Sequence, residues 1–295
     1  MAFDPVKKQT GFVESFDQTP IYYEERGDGE AIVFVYGIAC LINHWHFQLE
    51  YFSRRYKTLA FDLRGHQKSQ PLENIQNLKI HHLAEDIVRL LSLRGIKKAH
   101  FIGHSFGAPV LLQLYSMKAS LFLSMSFING FSQNPIKNMF GLSLVDKVFY
   151  FLKDQYRLFP DFWNLAWRAG VDNPLSMLLA GLAGGFNLKA SQLKDIEFYA
   201  HSVSRMNLDV FLTLFEELMG FDGEAVLSKI DVPSLIISGG RDNITPQDFQ
   251  KKFHEKIPRS EFVFVPYGSH CTQLDFPEFI NLKIEDFIER SMFRK

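Results

Sequence analysis

Ala99-His100-Phe101-Ile102-Gly103-His104-Ser105-Phe106-Gly107-Ala108 is the stretch that decides how this chain folds. The apolar run Ala99 to Ile102 has the length of a strand buried on both faces, and it stops at Gly103. A helical pattern starts after Gly107 and runs to about Met117. Between the two, the G-x-S-x-G spacing puts Ser105 on a sharp strand-to-helix turn. Such a turn is strained, and glycines two positions to either side avoid the clashes that larger side chains would make with strand and helix. The serine hydroxyl then projects free of the sheet.

Outward from this turn, short apolar runs alternate with helical patterns. Ala31 to Tyr36, Lys57 to Phe61 and Ala99 to Ile102 end at Gly37, Asp62 and Gly103, as strands of a parallel sheet do. Trp45 to Tyr56 and Leu83 to Leu93 separate them, the latter with Leu83, Ile87, Leu90 and Leu91 on one face and Glu85, Asp86 and Arg89 on the other. Alternating Phe12, Glu14 and Phe16, followed by Ile21 to Glu25, suggest a hairpin closed by Gly27-Asp28-Gly29. A further strand, Leu121 to Ile128, ends at Asn129-Gly130, where the alternation stops. From Phe131 to about Gly223 only helical patterns follow: Leu142 to Tyr156, Phe162 to Ala169, Leu193 to Val203 and Val210 to Met219. Strands Ser234 to Ser238 and Glu261 to Val265, with helices Gln247 to Ile257 and Pro277 to Phe293, then resume it. The prediction is an α/β core in two parts, 1–130 and 224–295, interrupted by a helical insertion over 131–223.

Serine is a weak nucleophile until a base takes its proton, which directs attention to later strand ends. Asp242 follows the strand Ser234 to Ser238, and His270 follows the last strand. In order Ser, Asp, His, with Asp62-Leu63-Arg64-Gly65-His66 like a D-x-R-G-H loop and Gly239-x-x-Asp242-x-x-x-Pro246 like an acid loop, the chain resembles the α/β-hydrolase family along nearly its whole length. That resemblance implies a mostly parallel sheet flanked by helices, with an α-helical cap inserted after strand 6. It implies catalytic roles for Ser105 as nucleophile, His270 as base and then acid, and Asp242 as the group that orients the imidazole. It also implies an oxyanion hole made by the backbone N–H groups of Ile38 and Phe106. The soluble epoxide hydrolases and dehalogenases of this fold use an aspartate nucleophile, which Ser105 argues against.

Several residues depart from the family pattern. Tyr36 stands where many relatives have histidine, leaving open how the oxyanion loop is braced and placing a phenol near the pocket; Gln67 and Ala108 replace glycines. Asn129 offers an amide where some relatives place the triad acid. The insertion is rich in aromatic residues, which either pack cap against core or favour an uncharged, lipophilic substrate. Tyr36, His104, Phe140, Trp163 and Trp167 are the pocket candidates. The run Leu178 to Phe186 is apolar and glycine-rich, which suggests a hinge or a membrane-touching edge of the cap.

Composition bounds the rest. Of 295 residues, 32 are Lys or Arg and 33 Asp or Glu, a formal charge of -1, so phosphate-driven nucleic-acid binding is not expected. Cys40 and Cys271 have neither C-x-x-C nor zinc-finger spacing, and the histidine pairs form no H-x-x-x-H or H-E-x-x-H pattern, so neither a metal nor another cofactor is expected. The first residues carry Asp4, Lys7, Lys8 and Gln9 where an export signal needs an apolar stretch, and a cytoplasmic location is the expectation. The reading that follows is a cofactor-independent serine hydrolase acting on a lipophilic carboxylic ester, lactone or related acyl bond through an acyl-serine intermediate. An amidase, a carbon–carbon bond hydrolase on the same triad, and a non-catalytic ligand-binding protein of the same fold stay open beside it.

Overall fold

The structure, a computed structural model, describes residues 6–72, 74–136 and 145–293. Strands β1 (Lys8–Glu14), β2 (Pro20–Arg26), β3 (Ala31–Val35), β4 (Lys57–Phe61), β5 (Ala99–His104), β6 (Phe122–Ile128), β7 (Ser234–Gly239) and β8 (Ser260–Val265) form one sheet in the order β1-β2-β4-β3-β5-β6-β7-β8. β1 and β2 pair antiparallel, as do β2 and β4, and every later pairing is parallel. The apolar runs behave as their composition dictates, because β3, β5 and β7 are buried at every residue between covering helices. The hairpin forms, but its turn is Ser15 to Thr19, where Ser15 N–H donates to Thr19 O at 2.9 Å. Gly27-Asp28-Gly29 instead carries the chain from β2 to β3, with both glycines in the left-handed region.

Helices α1 (His46–Phe52), α2 (Ile80–Leu93) and α3 (Gly107–Lys118) lie between the first strands. Between β6 and β7 come α4 (Val145–Leu158), α5 (Pro160–Val171), α6 (Pro174–Leu182), α7 (Leu193–Ser204), α8 (Leu208–Gly220) and the short α9 (Glu224–Leu227). After β7 follow α10 (Gln247–Lys256), α11 (Thr272–Asp275) and α12 (Pro277–Phe293). The helix α6 falls on the glycine-rich apolar run, whose pattern alone did not announce a helix. Its start is set by Asn173, whose side chain accepts from Ser176 N–H at 3.0 Å, and by Pro174 in the first turn. The two ends of the inserted helical segment meet, with Gln133 bridged to Asp222 and Gly223 N–H donating to Ser132 O at 2.8 Å.

One buried ion pair ties the antiparallel edge to the parallel core. Arg64, fully buried after β4, grips Asp86 of α2 with two hydrogen bonds, Nε to Oδ2 at 2.7 Å and Nη2 to Oδ1 at 2.6 Å. It also donates to Asp17 at 3.0 Å and to Ser15 Oγ at 2.7 Å in the β1–β2 turn. Removing Asp86 takes away the bidentate partner of a fully buried guanidinium and leaves it only Asp17 as counter-charge, so Asp86→Ala is expected to cost about 3 kcal/mol of stability. Urea denaturation checks this, and a loss below about 1 kcal/mol would show that the guanidinium finds water or another carboxylate.

Candidate active site

The C-terminal ends of β3, β5, β6, β7 and β8 deliver the loops that make the site, the edge at which open α/β sheets place their ligands. Ser105 follows β5 with φ of +52°, a left-handed conformation costly for a residue with a Cβ. Its N–H donates to Ile128 O at 3.0 Å and its carbonyl accepts from Ala108 N–H at 2.9 Å, which fixes the strained turn from both sides. Helix α3 begins so close to β3 that a Cβ on Gly107 would lie 2.2 Å from Val35 O, so the second glycine of the motif is sterically required.

Three side chains from separate loops stand in series. His270 Nε2 lies 2.9 Å from Ser105 Oγ, and His270 Nδ1 lies 2.8 Å from Asp242 Oδ2. Asp242 is held by its own loop: Oδ1 accepts from Ile244 N–H at 2.8 Å and Thr245 N–H at 2.9 Å, and Oδ2 accepts from Thr245 Oγ1 at 2.7 Å. Ser105 is partly open to solvent, whereas Asp242 and His270 are buried.

The peptide of His270 is pinned independently. Its carbonyl accepts from Asn129 Nδ2 at 2.7 Å and from His104 Nε2 at 2.9 Å, while its N–H donates to Gly184 O at 2.8 Å. Asn129 Oδ1 also accepts from Gly239 N–H at 2.8 Å, and its carbonyl lies 3.0 Å from Thr245 Oγ1, a second acceptor within reach of that hydroxyl. The amide at the end of β6 is therefore a clamp joining the acid loop to the histidine loop. Gly184, with φ of +86°, comes so near the acid loop that a Cβ would lie 2.4 Å from Arg241 O. The glycine end of the apolar run, read from sequence as hinge or membrane edge, is stitched to the triad loops. Asn187 extends this stitch, donating from Nδ2 to Tyr267 O at 2.8 Å and from N–H to Asp275 at 3.1 Å.

The turn after β3 lies against Ser105, since a Cβ on Gly37 would be 3.1 Å from that of Ser105. Neither Ile38 N–H nor Phe106 N–H is taken up by a hydrogen bond among the described residues. His66, fully buried, accepts from Ala39 N–H through Nε2 at 3.1 Å and pairs through Nδ1 with Arg64 O at 3.2 Å. Tyr36, a pocket candidate from sequence, is committed elsewhere: its hydroxyl donates to Asp62 Oδ1 at 3.1 Å and accepts from Leu63 N–H at 2.9 Å. It joins the turn after β3 to the Asp62–His66 loop, answering how that turn is braced without the usual histidine. Burial, then the Asp62 charge, pushes its phenol well above the ordinary range.

The remaining candidates separate. His104 is a buried brace on His270, its proton affinity driven well down by burial and then by the neighbouring His44 and His270. Trp163 and Trp167 of α5 pack within the inserted helices against Phe149, Leu208 and Leu212, Trp167 also meets the Phe211 ring, and Trp167 Nε1 donates to Val203 O at 3.1 Å. Trp167 also borders a cavity of about 520 Å³ shared with Tyr156, Arg168 and Arg205. Phe140 lies outside the described residues. Thr245, Gly184 and the clamp at Asn129 were not singled out as site residues from sequence. The acid loop that carries Thr245 was visible as a local pattern, whereas the partners of Gly184 and Asn129 lie far away in the chain.

The His66 brace works only while Nε2 carries no proton. Burial lowers its pKa from 6.5 to about 4, so between those values the unfolded chain binds a proton that the folded chain refuses. Stability is therefore lost as pH falls through that window. Asp62, pushed up to about 6 mainly by burial, contributes in the opposite sense over an overlapping range, so the comparison must isolate His66. Stability measured against pH should fall less steeply on acidification in His66→Gln than in the wild type; identical slopes would refute this account.

A sequence profile described as alpha/beta hydrolase fold matches residues 30–277. A putative carbamate hydrolase RutD of Pseudomonas savastanoi is 24% identical over 266 residues, covering 90% of this chain and 95% of the relative. Epoxide hydrolase 2 of Caenorhabditis elegans is 23% identical over 284 residues, 93% of this chain and 78% of that protein. Among solved structures, an esterase from Exiguobacterium antarcticum superposes with a TM-score of 0.78 at 20% identity, over 95% of this chain and 100% of that one. The enol-lactonase from Burkholderia xenovorans gives 0.72 at 16% identity, over 95% and 100%. With the profile spanning most of the sheet and every loop of the site, the chain belongs to the alpha/beta hydrolase fold family.

Proposed function

We propose that the protein is a serine hydrolase that cleaves a lipophilic carboxylic ester, lactone or related acyl bond without a cofactor. The observation that carries this reading is the series Ser105 Oγ, His270 and Asp242, joined at 2.9 and 2.8 Å. In it, His270 Nε2 takes the hydroxyl proton as Oγ attacks the acyl carbon, and Asp242 stabilises the imidazolium through Nδ1–H. The oxyanion meets Ile38 N–H and Phe106 N–H, whose donors have no other partner among the described residues. His270 then protonates the leaving group, and water releases the acyl group by the same steps in reverse.

The relatives support an acyl substrate, since they include proteins named as a carbamate hydrolase, an esterase and a lactonase. The inserted helices support lipophilicity, because residues 173–188 carry no charged side chain and Leu175 and Leu182 of α6 are 64% and 69% exposed. The same edge is our candidate for peripheral contact with lipid; among the described residues no helix is long and apolar enough to cross a membrane.

Intact mass after incubation with a fluorophosphonate should show one adduct in the wild type and none in Ser105→Ala. Turnover of p-nitrophenyl esters should fall by about 10⁴-fold or more in Ser105→Ala and by a similar order in Asp242→Asn, which leaves the imidazole in the wrong tautomer. An unlabelled, inactive wild type would favour a ligand-binding role. Neutral phospholipid vesicles should retain the wild type and release a Leu175→Ser, Leu182→Ser double variant; absence of wild-type retention would remove the lipid contact.

A further inference from the structure

Beside the catalytic serine, soft ligands converge that the hydrolytic chemistry leaves unused. One ligand atom from each of Cys40, His44 and His104 lies within 4.8 Å of the other two. They come from different segments: Cys40 from the turn after β3, His44 from the single 3₁₀ turn Ile42–Trp45 before α1, and His104 from the end of β5. All three are buried, with relative exposures of 2%, 3% and 1%. Cys40 and His44 lie four residues apart in the segment after β3, and the adjacency of β3 and β5 brings His104 to them.

The orientation of the rings makes this more than a cluster. His104 Nε2 donates to His270 O at 2.9 Å, and the side-chain amide of Gln273 faces His44 Nε2. The nitrogens left over, Nδ1 of His44 and Nδ1 of His104, are buried without any hydrogen-bond partner. The Gln273 amide nitrogen faces His44 Nε2; turning that amide over brings its otherwise unpartnered oxygen to accept the His44 Nε2 proton, and both buried Nδ1 atoms then offer lone pairs next to a thiol. Buried acceptors without a donor are rare and costly. Imidazole nitrogen with thiolate sulfur is a donor set for Zn²⁺ and its borderline neighbours, not for oxygen-seeking Mg²⁺ or Ca²⁺.

We propose that Cys40, His44 and His104 bind a divalent cation of the Zn²⁺ class and that its occupancy slows hydrolysis. Zn–N bonds of about 2.0 Å and Zn–S bonds of about 2.3 Å require the donors to draw together by about 1 Å. The cation displaces the thiol proton to solvent, leaving a thiolate–metal bond and no change of oxidation state. The Tyr199 hydroxyl of α7, to which the thiol donates at 3.9 Å, stands near the fourth position, which it or water fills.

The coupling to catalysis rests on the serine-hydrolase reading, whereas the binding does not. His104 holds the His270 carbonyl, and the His104 and His270 rings lie 4.8 Å apart. Cys40 N–H donates to Gly37 O at 3.2 Å within the turn that carries Ile38. A cation here places net positive charge beside an imidazole that must itself become cationic, and pulls on the oxyanion turn. Turnover is expected to fall by about tenfold or more.

Titration of the full-length protein with Co²⁺ tests the site directly. The expected result is saturation near one equivalent with a thiolate-to-cobalt charge-transfer band and the intense visible bands of four-coordinate Co²⁺, both bleached by added Zn²⁺. Cys40→Ser should lose the charge-transfer band and, measured against its own metal-free rate, show no loss of turnover on adding Zn²⁺. No thiolate band in the wild type, or the same band in Cys40→Ser, overturns the site. Binding with undiminished turnover overturns the inhibitory half. Failure of fluorophosphonate labelling in the metal-free wild type would count against the hydrolase reading and leave the cobalt titration to decide the site by itself.

Discussion

The whole site depends on where one peptide sits, that of His270. Its imidazole must reach Ser105 on one side and Asp242 on the other, and those residues belong to loops that end separate strands. The backbone is held by His104 from β5, by Asn129 from β6 and by Gly184 from the inserted segment. Each bond is modest alone, but together they replace the freedom of a loop with a position defined by the sheet. Preorganisation of this kind matters because a base displaced by about 1 Å loses much of its advantage.

Burial keeps the histidine and cysteine neighbours of Ser105 uncharged. Burial lowers His44 to about 3 and drives His104 well down, so both stay neutral at ordinary pH. Burial also raises Cys40 to about 12 and Cys271 well above its usual range, so both thiols keep their protons unless a metal displaces them. In such surroundings the loops hold two buried carboxylates, Asp242, which accepts from Ile244 and Thr245, and Asp275, which accepts from Ser269 N–H.

The sheet and the members of the Ser105–His270–Asp242 series were legible in sequence because both rest on local signals. Apolar runs of strand length ended at Gly37, Asp62 and Gly103, and the G-x-S-x-G turn and the acid loop are compact patterns. The braces were not legible, since they join residues far apart in the chain: Tyr36 with Asp62, His66 with Ala39, and Asn129 with His270. Asn129 drew notice only as a missing acid, and its second function appears once β6 and β7 are neighbours. The aromatic residues of α5 show the other limit. Their helical spacing was visible, yet spacing cannot tell whether Trp163 and Trp167 face substrate or, as in the structure, Phe149, Leu208 and Leu212.

The inserted helices are mounted at more than their two ends. Gln133 and Asp222 close the base, and Gly184 and Asn187 form a further attachment in the middle of the insertion, directly on the histidine loop. A segment fastened in this way is not an exchangeable module. Recombination that substituted another cap between residues 131 and 223 would preserve the sheet and the nucleophile turn, yet remove the carbonyl that receives His270 N–H. The insertion and the histidine loop are thus constrained to change together.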